Sequence, residues 1–242
     1  MPTPGLQERP LNSPAETATF FLCVVFGAVF EFAVVQKLCQ TGFPLGFGNA
    51  TKRGNIGEES MCSNVITGTF KDTRDGKDYK TVTICGQIWM AENLDYAGNG
   101  GVYYDNAASP PFVGAGRLYT WDQAMQAVPK GWHLSSYDEW DKLMYFVGGY
   151  STAGTELKAA GHWNKSNEAP IGMDTYGFSA LPGGWGDSTG KFKDIGDYGY
   201  WWDIRFSFKI VHRWFMRHDR EDANWNNSTQ NNLYSVRCIQ DY

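Results

Sequence analysis

The sequence predicts a loop-rich domain of the α+β or β class, and three observations support this. Aromatic residues make up 16% of the chain, which also contains 28 glycines. Large side chains among frequent glycines are typical of many short strands joined by turns. A clear helical period appears at residues 136 to 147. The 242 residues suffice for one domain with a real core and an additional segment.

Residues 1 to 62 are predicted to be an N-terminal extension. Residues 1 to 19 are rich in Pro, Glu and Thr, which predicts disorder. Residues 20 to 35 are apolar apart from Glu31, near the shortest run that spans a membrane, and no basic cluster precedes them as in a signal peptide. A signal or membrane anchor and a packed extension both stay open. Residues 40 to 62 have the Gly- and Asn-rich composition of a linker.

The domain is predicted to span residues 63 to 242 and to begin with a β-hairpin. Residues 67 to 70 and 79 to 84 alternate apolar and polar side chains on either side of the turn signal Asp75-Gly76. A further strand is expected over the first part of residues 87 to 94. An exposed loop is expected at 97 to 116, where Gly, Asn, Ser and Pro are frequent.

Two helices and one further helical turn are predicted in the middle of the domain. A short helix is expected at residues 118 to 127. In the next, Ser136 and Glu139 form a capping box, in which each side chain satisfies a free backbone N–H. One apolar stripe follows and must face a core; it consists of Trp140, Leu143, Met144 and Val147. Residues 154 to 160 are expected to add one more turn.

The C-terminal part combines regular ends with an irregular centre. A short strand is expected at residues 178 to 181 and a hairpin at 191 to 202, and residues 234 to 238 have the pattern of a buried strand. Between them, residues 203 to 218 mix aromatic and basic side chains without a period of 2 or 3.6, and residues 224 to 232 favour neither helix nor strand. We interpret this stretch either as a binding surface held by the scaffold or as an irregular edge of the core.

Charge and cysteine usage exclude several function classes. With a net charge of −5, the protein has no overall positive potential that would attract phosphate groups, so nucleic acid is not an expected partner. The five cysteines form no C-x-x-C pair and no Cys/His cluster, which argues against zinc and thioredoxin-like chemistry. Cys85 and Cys238 are the candidate pair for a single disulfide. The odd count leaves at least one thiol free or paired outside the chain.

Catalytic motifs are absent from the sequence. It contains no G-x-S-x-G elbow and no phosphate-binding loop. His133 is interpreted as a structural histidine, and Cys238 lies in an apolar strand that would not stabilise a thiolate. The acidic residues around Asp75 lack the closing Glu of a calcium loop and are interpreted as turn residues. We therefore expect no enzyme activity, no metal and no cofactor.

Seven short motifs occur in order between residue 66 and the end of the chain. They are Asp72-Thr73-Arg74-Asp75-Gly76-Lys77, Gln87-Ile88-Trp89-Met90-Ala91-Glu92-Asn93-Leu94, Gly116-Arg117-Leu118-Tyr119-Thr120-Trp121, Gly131-Trp132-His133-Leu134, Tyr176-Gly177-Phe178-Ser179-Ala180-Leu181-Pro182-Gly183-Gly184, Gly199-Tyr200-Trp201-Trp202 and Ser235-Val236-Arg237-Cys238. Together they resemble the Fibrobacter succinogenes major paralogous domain. The resemblance implies a C-type-lectin-like fold, an α+β domain with two helices and small antiparallel sheets, also seen in formylglycine-generating enzymes and in the variable proteins of diversity-generating retroelements.

The sequence departs from the family pattern in two respects. Asp203 and Val128 stand where the family usually has Ser and Cys, so Cys238 lacks its usual partner and the fold is expected to rely on packing. Family members tend to carry Ser, Asn and Tyr in the segment that corresponds to residues 203 to 222, and this sequence differs from them there. A retroelement that mutates template adenines turns Asn codons into codons for Phe, Ile, Asp, His, Arg, Ser and Val, which matches this segment beside the surviving Asn-rich tract.

The sequence thus predicts a diversified, non-enzymatic binding protein at the cell surface or secreted, or on a phage particle, with a protein or glycan ligand. Residues 20 to 35 would provide any membrane attachment. The predicted ligand-binding residues are Asp203, Arg205, Phe206, Phe208, Ile210, His212, Arg213, Trp214, Phe215, Arg217, His218, Arg220, Asp222, Asn224 and Asn226. The alternatives are calcium-independent sugar binding by stacking on Trp185 or Trp214, and an enzyme of the formylglycine-generating type. The latter lacks a second cysteine near Cys238.

Overall fold

A computed structural model describes residues 65–167, 172–207 and 210–242, with only the backbone of Phe206 and Ser207. These residues contain three α-helices and three small antiparallel sheets, which confirms the α+β class. The predicted N-terminal extension lies outside the described residues. No helix within them is both long and apolar enough to cross a membrane.

The regular elements are named in chain order. The strands are β1 (Ile66–Lys71), β2 (Asp78–Ile84), β3 (Gln87–Met90), β4 (Trp132–Leu134), β5 (Gly183–Gly186), β6 (Phe192–Ile195), β7 (Tyr198–Ser207), β8 (Ile210–Arg217), β9 (Ala223–Ser228) and β10 (Cys238–Gln240). The helices are α1 (Trp121–Ala127), α2 (Tyr137–Phe146) and α3 (Tyr150–Leu157).

The largest sheet has five strands in the order β1-β2-β3-β10-β4. Its first two strands form the predicted hairpin, with Asp72 paired to Arg74 in the turn. The last strand of the chain, β10, lies between β3 and β4. The strand β10 is therefore an inner strand of the sheet, with a neighbour on each side. Cys238 is buried there and forms no disulfide with Cys85, so the prediction of that disulfide is wrong.

Side-chain caps mark the starts of α1 and α2. Ser136 and Glu139 form the predicted capping box of α2, whose stripe of Trp140, Leu143 and Met144 is fully buried. The helix α1 starts after Thr120, which caps it with Gln123, and not at residue 118. The helix α3 spans eight residues where one turn was predicted, so the described residues contain three α-helices and not two.

The C-terminal half is more regular than the sequence predicts. Residues 203 to 218 lie mostly in β7 and β8, and residues 224 to 228 of the Asn-rich tract lie in β9. The expectation of irregular structure was therefore wrong for 203 to 218 and for the first part of the tract. The predicted hairpin at 191 to 202 was also wrong, because β6 pairs with β5 while β7 pairs with β8. Residues 178 to 181 form no strand, and Ala180 makes a single parallel bridge with Lys158, the residue that follows α3.

Two clusters of buried side chains lie on opposite sides of the β7-β8-β9 sheet. In the first, Trp140 stacks on Trp214 with ring centroids 5.3 Å apart and also contacts Trp89 and Trp201. The second contains Trp202 and Tyr234, among other residues. Large side chains therefore cover parts of both faces of this sheet. That explains why its strands lack the apolar–polar alternation of a sheet with one exposed face.

Candidate ligand-binding surface

The strands β7, β8 and β9 place side chains from three strands on one face. Tyr198 pairs with Arg217, Tyr200 with Phe215 and Trp202 with Arg213. On the other edge of β8, Phe215 pairs with Asn224 and Arg213 with Asn226. Because side chains alternate along a strand and paired residues point to the same side, these residues share a face. We call the partly or fully exposed set the outer face: Tyr198, Arg213, Phe215, Arg217, Asn224 and Asn226.

Arginine and aromatic side chains stack on each other across the outer face. Tyr198 lies parallel to Tyr200 at a centroid distance of 5.2 Å. The guanidinium of Arg217 lies 5.3 Å from the ring centre of Tyr198, and that of Arg213 lies 4.7 Å from Tyr200. Cations over aromatic rings are attracted to the ring quadrupole, by up to about 2 kcal/mol when desolvated. These contacts hold long side chains in place before any ligand arrives.

Hydrogen bonds orient the two arginines differently. Arg217 donates from Nε and Nη2 to the two carboxylate oxygens of Asp219, at 2.9 and 2.7 Å. Arg213 donates from Nε to the Tyr234 hydroxyl at 3.0 Å. That hydroxyl is also 3.1 Å from Ser228 Oγ and 3.3 Å from Asn232 Nδ2. One arginine is thus neutralised by a carboxylate, and the other is held by neutral groups.

The turn between β8 and β9 is anchored to α3. Lys158, which is buried, donates from Nζ to the carbonyls of Arg217 and Arg220 at 3.0 and 2.7 Å. Burial lowers the pKa of this lysine, and nearby carboxylates oppose the effect. Any side chain at Gly154 would place its Cβ 2.4 Å from the carbonyl oxygen of Asp222. Glycine therefore permits the close approach that fixes the turn.

The opposite face of the sheet carries a second group of predicted residues. The guanidinium of Arg205 lies 3.9 Å from the ring centre of Tyr137 at the start of α2. Trp225 meets Tyr137 edge-on, and His212 stacks on Trp225 at 5.2 Å. Ile210, in the same hairpin, is 42% exposed. The predicted residues therefore divide between two faces and do not form one surface.

Two predicted ligand-binding residues are not available at the surface. Trp214 is 1% exposed because it packs against Trp140, and Asp203 is fully buried. Burial raises the pKa of Asp203 to about 6, while the N–H of Arg205 donates to Oδ1 at 2.7 Å and partly opposes the shift. Their inclusion in the exposed surface is corrected.

The remaining predicted residues lie at the ends of the hairpins. His218, Arg220 and Asp222 belong to the turn between β8 and β9. Phe208 and the side chain of Phe206 lie outside the described residues. An open cavity of about 590 Å³ lies beside the turn, lined by Asp222 and Asn224 together with residues at the start of α3.

Sequence reasoning missed several residues that build the two faces. Tyr198, Tyr137, Tyr234 and Trp225 all contact predicted residues but lie outside the predicted set. For Tyr198 a signal existed, because it alternates with the aromatic residues of the Gly199 motif. Tyr137 is distant along the chain, and no local pattern connects it to Arg205.

The structure offers little support for sugar stacking or cysteine chemistry. Trp214 is in the core, and Trp185 contacts Tyr234 on one side while the ammonium of Lys193 lies 4.9 Å from its ring centre. Burial raises the pKa of the Cys238 thiol, so no reactive thiolate is stabilised there. Among the residues that the structure describes, no three His, Cys, Asp or Glu side chains group into a metal site.

Fold and surface together define a mixed α+β domain with an open, arginine- and aromatic-rich sheet face. A family model for the Fibrobacter succinogenes major domain matches residues 82–240, which is well over half of the chain. The chain therefore belongs to that family, and the predicted resemblance is confirmed. No curated protein and no solved structure matches it.

Proposed function

We propose that this protein is a non-enzymatic binding protein whose ligand contacts the outer face. One observation carries the proposal: three strands in register place Arg213, Phe215 and Arg217 beside Asn224 and Asn226 on one open face. Arginine and aromatic side chains dominate the affinity of protein interfaces. Hydrogen bonds between the strands hold the face through the backbone, so its outward side chains can change without loss of the fold.

We further propose that the scaffold is C-type-lectin-like and is presented outside the cell or on a phage particle. Small antiparallel sheets, long connections and three short helices support a scaffold of this kind. A protein ligand is favoured over a glycan. Sugar stacking needs an exposed ring face, and neither Trp185 nor Trp214 provides one.

The pattern of residue types on β8 supports an origin by adenine-directed diversification. Asn codons end in T or C, and mutation of their adenines leaves that last base unchanged. Arg213, Phe215 and Arg217 can all be encoded in this way, whereas the codons of Trp214 and Met216 end in G. Trp214 and Met216 are buried, and the three alternating residues are partly exposed. Val211, which is buried, can also be encoded in this way, and so can Ile210 and His212, which lie outside the outer face.

The test is to sequence the codons for residues 195 to 242 across a source population, together with the DNA that flanks the gene. We expect substitutions to concentrate at Arg213, Phe215, Arg217, Asn224 and Asn226, wherever a nearby near-repeat has adenine, and a reverse transcriptase gene to adjoin.

The buried codons of Trp202, Trp214 and Met216 are the internal control and should stay constant. A uniform segment with no near-repeat would contradict diversification. Variation spread equally over buried and outward codons would contradict the assignment of the face.

A further inference from the structure

Arg213 lies at the centre of the outer face, and the described residues provide no carboxylate for it. Its Nε donates to the neutral Tyr234 hydroxyl, and its Nη1 is buried with no hydrogen-bond acceptor among the described residues. Arg217, two residues along the same strand, is in contrast neutralised by Asp219. Asp194, the carboxylate beside Tyr200, already accepts from Trp185 Nε1 at 2.7 Å and from the Tyr200 hydroxyl at 3.3 Å.

The aromatic rings around Arg213 make it unfavourable for its guanidinium to lack a carboxylate partner. Its guanidinium carbon lies 4.7 Å from the ring centre of Tyr200 and 5.4 Å from those of Phe215 and Tyr234. The side chain is half-buried among these rings, where a charge–charge interaction is stronger than in water. The buried Nη1 is closed to a ligand, whereas Nη2 is not buried and donates no hydrogen bond to the described residues. An incoming carboxylate can therefore pair with Nη2 through a charge-assisted hydrogen bond.

We propose that the outer face binds a polypeptide segment that carries an Asp or Glu side chain next to an apolar residue. The carboxylate pairs with Arg213, and the apolar residue packs on Phe215 and Tyr198. Asn224 Nδ2 already donates to Asp222 and Asn226 Oδ1 accepts from the N–H of Asn227, so Oδ1 of Asn224 and Nδ2 of Asn226 are the groups placed to hydrogen-bond the backbone of the segment. This inference rests on the proposed function and specifies the chemistry of its ligand.

The shape and charge of the site favour a polypeptide with this local pattern over a generally acidic ligand. The outer face is an open sheet surface of the kind that protein partners cover, with arginine and aromatic anchors at its centre. The chain as a whole carries a net charge of −5, so it does not attract acidic partners by its overall field. Selectivity for a carboxylate would therefore come from Arg213 itself.

The experiment is a selection of random peptides displayed on phage against the immobilised full chain. The same selection is run on Arg213→Gln, Phe215→Ala and Arg205→Gln. The last is the matched control, because it removes the same charge from the opposite face. We expect wild-type binders to be enriched in Asp or Glu beside an apolar residue. That enrichment should disappear with Arg213→Gln and persist with Arg205→Gln.

A double-mutant cycle then measures the contact itself. One selected peptide and its Asp→Asn or Glu→Gln version are titrated into the wild type and into Arg213→Gln. We expect the peptide change to weaken binding roughly tenfold in the wild type and to have little effect in the variant.

The outcomes separate the two proposals. Binders that are lost with Phe215→Ala but show no acidic preference overturn the charge inference and leave the binding face standing. Failure to select binders, or binders that are insensitive to both Arg213→Gln and Phe215→Ala, would count against both.

Discussion

Asp203 carries a carboxyl group that is fully buried in the middle of β7, next to the shift in the pairing of β7 with β8. The N–H of the nearby Trp214 indole and the N–H of Arg205 favour its ionised form, but the effect of burial is larger. Burial raises its pKa from 3.8 to about 6. The folded state therefore binds the proton more tightly than the unfolded state does. Stability from this group is fully present below about pH 4 and is lost as the pH rises through about 6.

We predict that Asp203→Asn stabilises the protein at pH 7. The neutral amide removes the cost of a buried charge, and Oδ1 can still accept from the N–H of Arg205. The pKa shift corresponds to a gain of at most about 3 kcal/mol at pH 7 and to almost none at pH 4. Urea unfolding followed by tryptophan fluorescence at both pH values measures it. Asp105→Asn, the same change at an exposed carboxyl, is the control, and an equal gain from both variants would contradict the prediction.

At the scale of one element, β8 separates scaffold from surface by alternation. Trp214 and Met216 point into the first buried cluster, whereas Arg213, Phe215 and Arg217 point to the outer face. Substitutions at adjacent positions of β8 should therefore differ in their effect on the stability of the protein. The turn that follows β8 is held by Lys158 and does not depend on those outward side chains.

We predict that Trp214→Ala and Phe215→Ala differ strongly in their effect on stability. Loss of the buried indole leaves a cavity beside Trp140 and should cost about 3–5 kcal/mol. Phe215 is only partly buried, so its truncation should cost about 1 kcal/mol. The free energies of unfolding from urea titrations provide the comparison. Similar losses from the two variants would show that Phe215 belongs to the core and not to the surface.

At the scale of the whole molecule, Arg237 connects distant parts of the chain. It is fully buried and donates to Asn93 Oδ1 at 2.9 Å and to the carbonyls of Met90 and Ser179 at 3.0 and 2.9 Å, as well as to the carbonyl of Phe178. Burial lowers its pKa to about 9, so it stays charged at neutral pH. One guanidinium thus joins β3 and the segment after α3 to the residue that precedes the C-terminal strand.

We predict that Arg237→Met destabilises the protein by about 3–5 kcal/mol, because buried acceptors lose their donors. Arg237→Lys is the informative companion. Lysine keeps the positive charge but lacks the planar set of N–H donors of the guanidinium. Arg237→Lys should therefore recover less than half of the stability that Arg237→Met loses. Thermal and urea unfolding of both variants measure this. Full recovery of stability in Arg237→Lys would show that the positive charge stabilises the protein and that the planar arrangement of N–H donors does not.

The sequence by itself determined the local elements whose signals lie within a few residues. These are the first hairpin with its Asp75-Gly76 turn, and α2 with its Ser136 cap and buried stripe. Its seven ordered motifs also identified the family, which the match over residues 82–240 confirms.

Only the tertiary structure decided which residues between 203 and 226 face outward. Side chains on β8 and β9 take their direction from pairing with strands elsewhere in the chain, and a shift of one residue would exchange the two faces. Burial of Asp203 and Trp214 likewise depends on α2 and on the aromatic cluster beneath the sheet. The stacking of Arg205 on Tyr137 and the isolation of Arg213 among aromatic rings arise from contacts between segments far apart in sequence, for which no local pattern exists.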